Sequence, residues 1–510
     1  MDAARTMWVG LLVATLGGCA GGSGPAPDEG PAALADQIGG GPSTVAAATV
    51  ASPPETSDPS GDLRPGTTAI PTDTTAPVAG GPVGDRRYPE LGSTGIDVTH
   101  YDVRLDYDPS DRSLTGTVVI AGVLMAGEIA LDSRGPQVSA VRFDGRPATF
   151  RVEPHDLVVV APVGTRLGAP VAIEVDYRAV VTGGNFFADG AGLFTTPDGL
   201  WSVNEPDGAS TWIPLDDHPT DKATWAFEIT VPSGLTAVAN GAFVAVVDDA
   251  GSSTWSWHQG EPMASYLVLL LVGRYEFVSD GSSPSGVALD HVALSSARPS
   301  LDPYLDLTRQ QLAFFESEFG PYPFDRYGLA ITDSTPGLAM ETQGLSLFSA
   351  GDLDGTVGTW QQALLAHELA HQWFGNAVSP ARWDDIWLNE GLATYAQWMW
   401  FEQTGLGAVD ATARATLQRL PAQGWPLTRP ERLFGPVVYD GGAVALHALR
   451  LTIGDVAFFA GLRTWVSTYL DDSATSDDFR AVMEDAGGVD LGAFFRDWVE
   501  AETIPTRLPG

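Results

Sequence analysis

Cysteine is nearly absent from these 510 residues: it occurs once, at Cys19, so no disulfide can form within the chain. Lysine is equally scarce, with Lys222 the only one. Nearly all positive charge is therefore arginine, and 27 basic residues against 64 acidic ones leave a formal charge of −37. That balance excludes nucleic acid and acidic lipid as natural partners. It reads as a solvated acidic surface, with genome composition or a salty habitat as an equally good explanation. Near the N-terminus the apolar run from Met7 to Leu16 has ten residues, too few to span a bilayer. Aromatic residues are almost missing between Ala20 and Asp85, so that stretch lacks the means to build a core.

What is present at the N-terminus is an address. Arg5, the apolar run and then Leu16-Gly17-Gly18-Cys19 suit an export signal. The last four residues resemble a bacterial lipobox, whose cysteine is lipidated and becomes the mature N-terminus. Residues 1–19 are thus expected to be a lipoprotein signal, with Cys19 the lipidation site. The alternative is an ordinary signal peptide cleaved among the small residues Gly17 to Gly22. Either reading exports the protein: lipid-anchored to a membrane of the cell envelope, or secreted if the lipobox is not used. Residues 20–90, rich in Gly, Pro, Ala and Thr, are expected to be a disordered tether.

From residue 91 to 296 short alternating runs such as VTHYDVRLDY, VAIEVDYRAVV and WAFEITVP are punctuated by Gly, Pro and Asp. They predict antiparallel strands joined by turns. From residue 297 to 510 helical periodicity takes over, beginning at Asp302-Pro303 and interrupted by a strand at YGLAITDS.

Within that second region lies His367-Glu368-Leu369-Ala370-His371. The run from Trp360 to Phe374 has helical spacing and a suitable stop at Gly375-Asn376. Residues four apart on a helix share a face, so His367 and His371 can present two imidazoles to one metal ion. Glu368 reaches the rim, where a general base for water belongs. A second helix is expected after Asp384-Asp385, and it returns Glu390 as a third ligand, giving a His₂Glu zinc site with one open position. A random chain of this composition would contain the His-acid-x-x-His pattern only about 0.02 times.

The zinc motif, its spacing to Glu390 in Trp387-Leu388-Asn389-Glu390-Gly391, and several separate segments resemble the M1 zinc aminopeptidases, gluzincins of the aminopeptidase N type. Phe319-Gly320-Pro321-Tyr322-Pro323-Phe324 looks like that family's FGxYPF segment. Ala339-Met340-Glu341-Thr342-Gln343 resembles its amine-binding motif, and Tyr439 with Gly442-Ala443 its catalytic tyrosine motif. Glu205-Pro206 through Trp212-Ile213-Pro214 and Asp217-His218-Pro219 to Lys222-Ala223 resembles the segment that leans into the active site. The resemblance spans about residues 95 to 505. It implies an α+β multidomain protein: an antiparallel, β-rich, saddle-like N-terminal domain followed by a thermolysin-like, mostly helical catalytic domain. It also implies one zinc ion, peptide substrates with a free N-terminus, Glu341 and Glu205 on the substrate amine, and Tyr439 on the oxyanion. Departures are Leu338 and Thr342 in the amine motif, Gly441 where many relatives carry lysine, and Val203 where relatives often carry glutamine. The chain is also expected to lack the large C-terminal helical domain with which many relatives close the cavity.

His218 and His447 read as structural, and His100, His155, His258 and His291 have no ligand spacing. Rival functions are an epoxide hydrolase or endopeptidase on the same zinc, and an inactive peptide-binding or scaffolding lipoprotein. The lipidation expectation has a direct check: radiolabelled palmitate should label the cell-expressed protein and be lost from Cys19→Ser. Label retained by that variant overturns the assignment.

Overall fold

Alternation in the sequence becomes one buried face in Ile96–Asp108, where Ile96, Val98, Tyr101, Val103, Leu105 and Tyr107 point into the core. The computed structural model describes residues 79–510, apart from 182, 184–189, 335 and 421–425. Cys19, the expected signal and residues 20–78 of the expected tether lie outside the described residues.

Ile96–Asp108 is central to an eight-stranded sheet. From one edge the order is Ala242–Asp249, Ser252–Met263, Ala223–Pro232, Ile96–Asp108, Ser113–Leu124, Pro170–Val180, Gln137–Phe143 and Arg146–Pro147. The domain departs from a purely antiparallel arrangement in its largest sheet, where Ile96–Asp108 runs parallel to Ala223–Pro232. Those strands are more than a hundred residues apart, and strand period carries no information about the direction of a distant partner. Trp225 fills the interior here, stacked on Tyr101 at 4.0 Å and on Phe227 at 5.8 Å. A four-stranded sheet containing Leu200–Val203 and Leu270–Gly273, and a three-stranded one containing Glu128–Asp132, complete this half.

The boundary expected at residue 296 shifts. Tyr275–Ser282 and Ala288–Leu294 do not join the sheets of the N-terminal half. They pair instead with Leu329–Thr332, Ser346–Ser349 and Ala339–Met340 in the sheet that carries Glu341 beside its last strand. A strand's period is local, whereas its sheet membership is decided by partners that come later in the chain. The expected tether is likewise too long. Residues 79–90 lie mostly exposed but are pinned to the fold, with the Asp85 side chain only 1 % exposed.

Among the described residues the longer helices are α1 (Arg298–Phe319), α2 (Thr359–Ala370), α3 (Trp387–Thr404), α4 (Val409–Arg419), α5 (Gly442–Ile453), α6 (Asp455–Thr468) and α7 (Ser476–Gly487). Helix α1 begins one turn before Asp302-Pro303, with Pro299 in its first turn, where a missing N–H costs nothing. Helix α2 stops at Ala370, four residues short of the expected end. His371 is its cap, still with helical dihedrals and with its N–H bonded to His367 O. Helices α2 and α3 are buried almost all round, as expected of elements at the middle of a core. Helix α3 meets the start of α5 at two glycines: a Cβ on Gly391 would lie 2.9 Å from Gly442 Cα. That approach sets Glu390 beside the segment carrying Tyr439.

The two halves are joined through Lys222. Its Nζ donates to Asn376 O and Ala377 O, both at 2.9 Å, in the loop after α2. Burial pushes its pKa down to about 7.

Buried aspartates hold the chain leading into the first strand. Asp132 accepts from Gly92 N and Asp217 N, and Asp216 accepts from Ser93 N. Burial, reinforced by neighbouring Asp217, lifts Asp132 from 3.8 to about 8. The fold therefore keeps a proton that the unfolded chain releases, so this residue's contribution to stability falls as pH rises through that window. Asp132→Asn keeps an oxygen that can accept both N–H groups and removes the charge. Its melting temperature should gain on wild type between pH 4 and 8; parallel curves across that range would contradict the assignment.

Candidate metal centre and amine pocket

The helical spacing places His367 and His371 one turn apart, with ring centroids 4.6 Å apart. Glu390, in the first turn of α3, reaches both: its Oε2 lies 3.1 Å from His367 Nε2 and 3.4 Å from His371 Nε2. The three ligating atoms lie within 4.8 Å of one another and all three residues are buried. His371 Nδ1 lies 3.1 Å from Phe374 O. Donation there leaves Nε2 as the nitrogen that faces Glu390, the one available to a metal ion held between them. This donor set and its closeness fit a divalent metal of the zinc type.

Two further carboxylates converge on the same space. Glu341 groups with Glu368 and His371, and Glu205 with Glu341 and Glu390, each set within 4.8 Å. Glu205 Oε1 and Glu341 Oε1 are buried and make no hydrogen bond, so both are free to accept one from a bound group. Burial, and then mutual repulsion, raises the proton affinity of Glu205 and Glu368; burial also raises that of Glu341. Burial would raise Glu390 as well, but His371 and His367 beside it hold it at about 2. His371 is the converse: burial lowers it, yet Glu341 and Glu390 win and push it up to about 10. Burial lowers His367. The field of the pocket is thus strongly negative, and it favours cations.

The Tyr439 ring stacks near His367, with centroids 5.9 Å apart and planes at 13°. Burial and the surrounding carboxylates raise its pKa well above the usual value, which keeps the hydroxyl protonated as a donor. It sits in the short turn Val437–Gly441 that leads into α5. The structure therefore brings together His367, Glu368, His371, Glu390, Glu341, Glu205 and Tyr439. It leaves His218 and His447 outside: His218 Nδ1 lies against Thr220 Oγ1, and His447 Nδ1 against Tyr395 OH.

Some contributors were not legible. Gln372 and Asn376 both donate to Glu341 O, at 3.1 and 2.6 Å, and so hold the amine-motif backbone against α2. Gln372 directly follows the metal motif, which was the available signal; Asn376 had read only as a helix stop. Asp384 and Asp385 are not caps of α3. Asp384 takes Arg86 and Arg87, and Asp385 accepts from Ser476 and Arg382. Of the departures from the family pattern, Thr342 donates its hydroxyl to Leu345 O. Val203 is buried in the hydrophobic core, 1 % exposed.

Both halves of the chain are similar to known proteins. The peptidase family M1 domain matches residues 304–498, and the peptidase M1 N-terminal domain matches residues 98–267. A two-domain M1 zinc metallopeptidase mutant solved with L-arginine superposes with a TM-score of 0.76 at 32 % identity, over 84 % of this chain and 99 % of its own. The M1 zinc metallopeptidase of Deinococcus radiodurans gives 0.75 at 31 %, over 84 % and 99 %. Probable aminopeptidase 1 of Sulfurisphaera tokodaii is 25 % identical over 438 residues, which are 80 % of this chain and 54 % of that protein. The chain thus spans about half the length of the curated relatives it matches, and nearly all of the two-domain structures.

The ligand set makes a discriminating prediction. Metal analysis after gel filtration should find one ion in wild type, His218→Ala and His447→Ala, and none in Glu390→Ala. Full occupancy in Glu390→Ala removes that residue from the set.

Proposed function

Because the chain belongs to peptidase family M1, a two-domain α+β fold of a β-rich N-terminal domain and a helical catalytic domain, we propose that it is a zinc aminopeptidase removing single residues from the free N-terminus of peptides. The observation that carries the reading is the pair of buried carboxylate oxygens on Glu341 and Glu205 with no hydrogen-bond partner, set against Glu390.

His367, His371 and Glu390 would hold the zinc. When bound, such an ion lowers the pKa of water from 15.7 toward ~7 and polarises a carbonyl. Glu368, buried on the same helix turn, takes the attacking water's proton and hands it to the leaving amine. Tyr439, kept neutral, donates to the developing oxyanion, a contact whose removal typically costs on the order of 10²–10³ in turnover. Glu341 and Glu205 accept the substrate's α-ammonium in charge-assisted bonds. A binding site for the amine at a fixed distance from the reacting carbonyl measures one residue from the chain end, and that distinguishes an exopeptidase from a general hydrolase. Among the described residues no helix is long and apolar enough to cross a membrane. Export and lipid anchoring at Cys19 are proposed on Leu16-Gly17-Gly18-Cys19 alone.

Aminoacyl-anilides assayed with and without a zinc chelator test the reading. Wild type should cleave them and lose activity to the chelator. Glu368→Gln should keep its zinc and lose turnover; wild-type rates in that variant end the general-base assignment. Acetylating the substrate amine should lower kcat/KM by on the order of 10⁴-fold, because the buried carboxylates are then left unpaired. Equal cleavage of free and acetylated peptides points to an endopeptidase.

A further inference from the structure

Residues Asp85 to Tyr88 precede the first strand of the N-terminal half, yet they are bonded to the catalytic half. Asp85 Oδ1 accepts from Arg87 N and Tyr88 N, closing a tight local turn. Its Oδ2 accepts from Trp383 N at 2.8 Å, nearly three hundred residues on. Asp384 receives Arg86 through two nitrogens, at 2.5 and 2.7 Å, and Arg87 Nε at 3.2 Å. A second Arg87 nitrogen donates to Pro430 O. The Tyr88 ring packs edge-on against Trp383, with centroids 6.0 Å apart. On its other side the segment is held by the N-terminal half, through Gly92 and Ser93 on Asp132 and Asp216.

The two destinations matter. Trp383–Asp385 is the turn immediately before α3, whose first turn carries Glu390. Pro430 lies in the segment that runs into Val437–Gly441 with Tyr439. Arg87 is bonded to both. Helices α3 and α5 pack along an extended face, closest at Gly391 and Gly442. Arg87 adds a polar tie outside that face, between the turn before α3 and the chain that runs into the Tyr439 segment. Exposure decides which arginine matters: Arg86 is 58 % exposed, so its ion pair is worth little, whereas Arg87 and Asp384 are 19 % and 9 % exposed.

We propose that Arg87, anchored by Asp85 and Asp384, is a positioning residue that fixes the Tyr439 segment relative to the Glu390 helix. It touches neither metal nor substrate. The inference rests on the aminopeptidase reading only for its kinetic consequence. It follows that trimming the chain inside residues 79–90 lowers turnover although every residue at the metal centre is retained.

The test uses the full chain. Arg87→Met should lower kcat on an aminoacyl-anilide by about 10- to 100-fold with KM changed less than about twofold, since small misplacements act on the reacting geometry. Zinc content should be unchanged, and Arg87→Lys should recover part of the loss through Asp384. A second readout does not depend on turnover. In a Cys19→Ser background, a nitroxide on Leu451→Cys, exposed on α5, and Cu²⁺ in the metal site give a distance distribution by pulsed EPR. Arg87→Met should broaden it. If Arg87→Met does not fold, Asp384→Asn, which keeps one acceptor oxygen, should show the same kcat loss and broadening. Wild-type kcat or an unbroadened distribution in a folded variant overturns the proposal. An inactive wild type with a broadened Arg87→Met distribution refutes the aminopeptidase reading and leaves the positioning role standing.

Discussion

Four carboxylates, from Glu205, Glu341, Glu368 and Glu390, share one buried space with two imidazoles, and their mutual repulsion is the constraint around which the rest of the molecule is arranged. In water such a cluster would be inexpensive to assemble. Inside a protein each unpaired charge is costly, so the arrangement persists only where cations are expected and where the scaffold prevents the acids from moving apart. The scaffold is correspondingly stiff. Helices α2 and α3 are enclosed nearly all round, Gln372 and Asn376 hold the Glu341 backbone, and two glycines let α3 and α5 approach without an intervening side chain.

The metal-binding pair was legible because it is local. A four-residue spacing on a helix is geometry that the sequence carries with it, and Glu390 needed only a short connection to come back over it. Glu341, Glu205 and Tyr439 came instead from likeness to a family, and no period or composition would have singled them out. What could not be read depends on partners far away in sequence. Tyr275–Ser282 looks like any other strand of the N-terminal half until Leu329–Thr332 exists to build a sheet on its neighbour. Ile96–Asp108 announces its buried face but not the parallel direction of Ala223–Pro232.

Residues 79–90 show the same limit at its most instructive. By composition they continue a tether, because Gly, Pro and two arginines signal no core. Their order comes from a single buried aspartate that accepts from Trp383 N, and from acceptors on Asp384 and Pro430, all some three hundred positions downstream. Polar anchoring of this kind leaves no hydrophobic pattern to detect, so a segment can be firmly anchored and still read as a linker. The departures at Thr342 and Val203 behave differently: each is absorbed locally, one by closing a turn and the other by packing in the core.

Lys222 has a consequence beyond joining the two halves. It is the one lysine of the chain, half-buried, with its Nζ held by two backbone carbonyls. That one amine is tied to backbone carbonyls, and every other basic side chain apart from histidine is a guanidinium. A cleft shaped to capture primary ammonium thus belongs to a molecule that offers none of its own side-chain amines to a neighbouring copy, so crowding of these proteins brings no self-competition for the pocket from lysine. Aldehyde fixatives and acylating reagents, which seek the same group, likewise meet a single shielded lysine rather than a reactive coat.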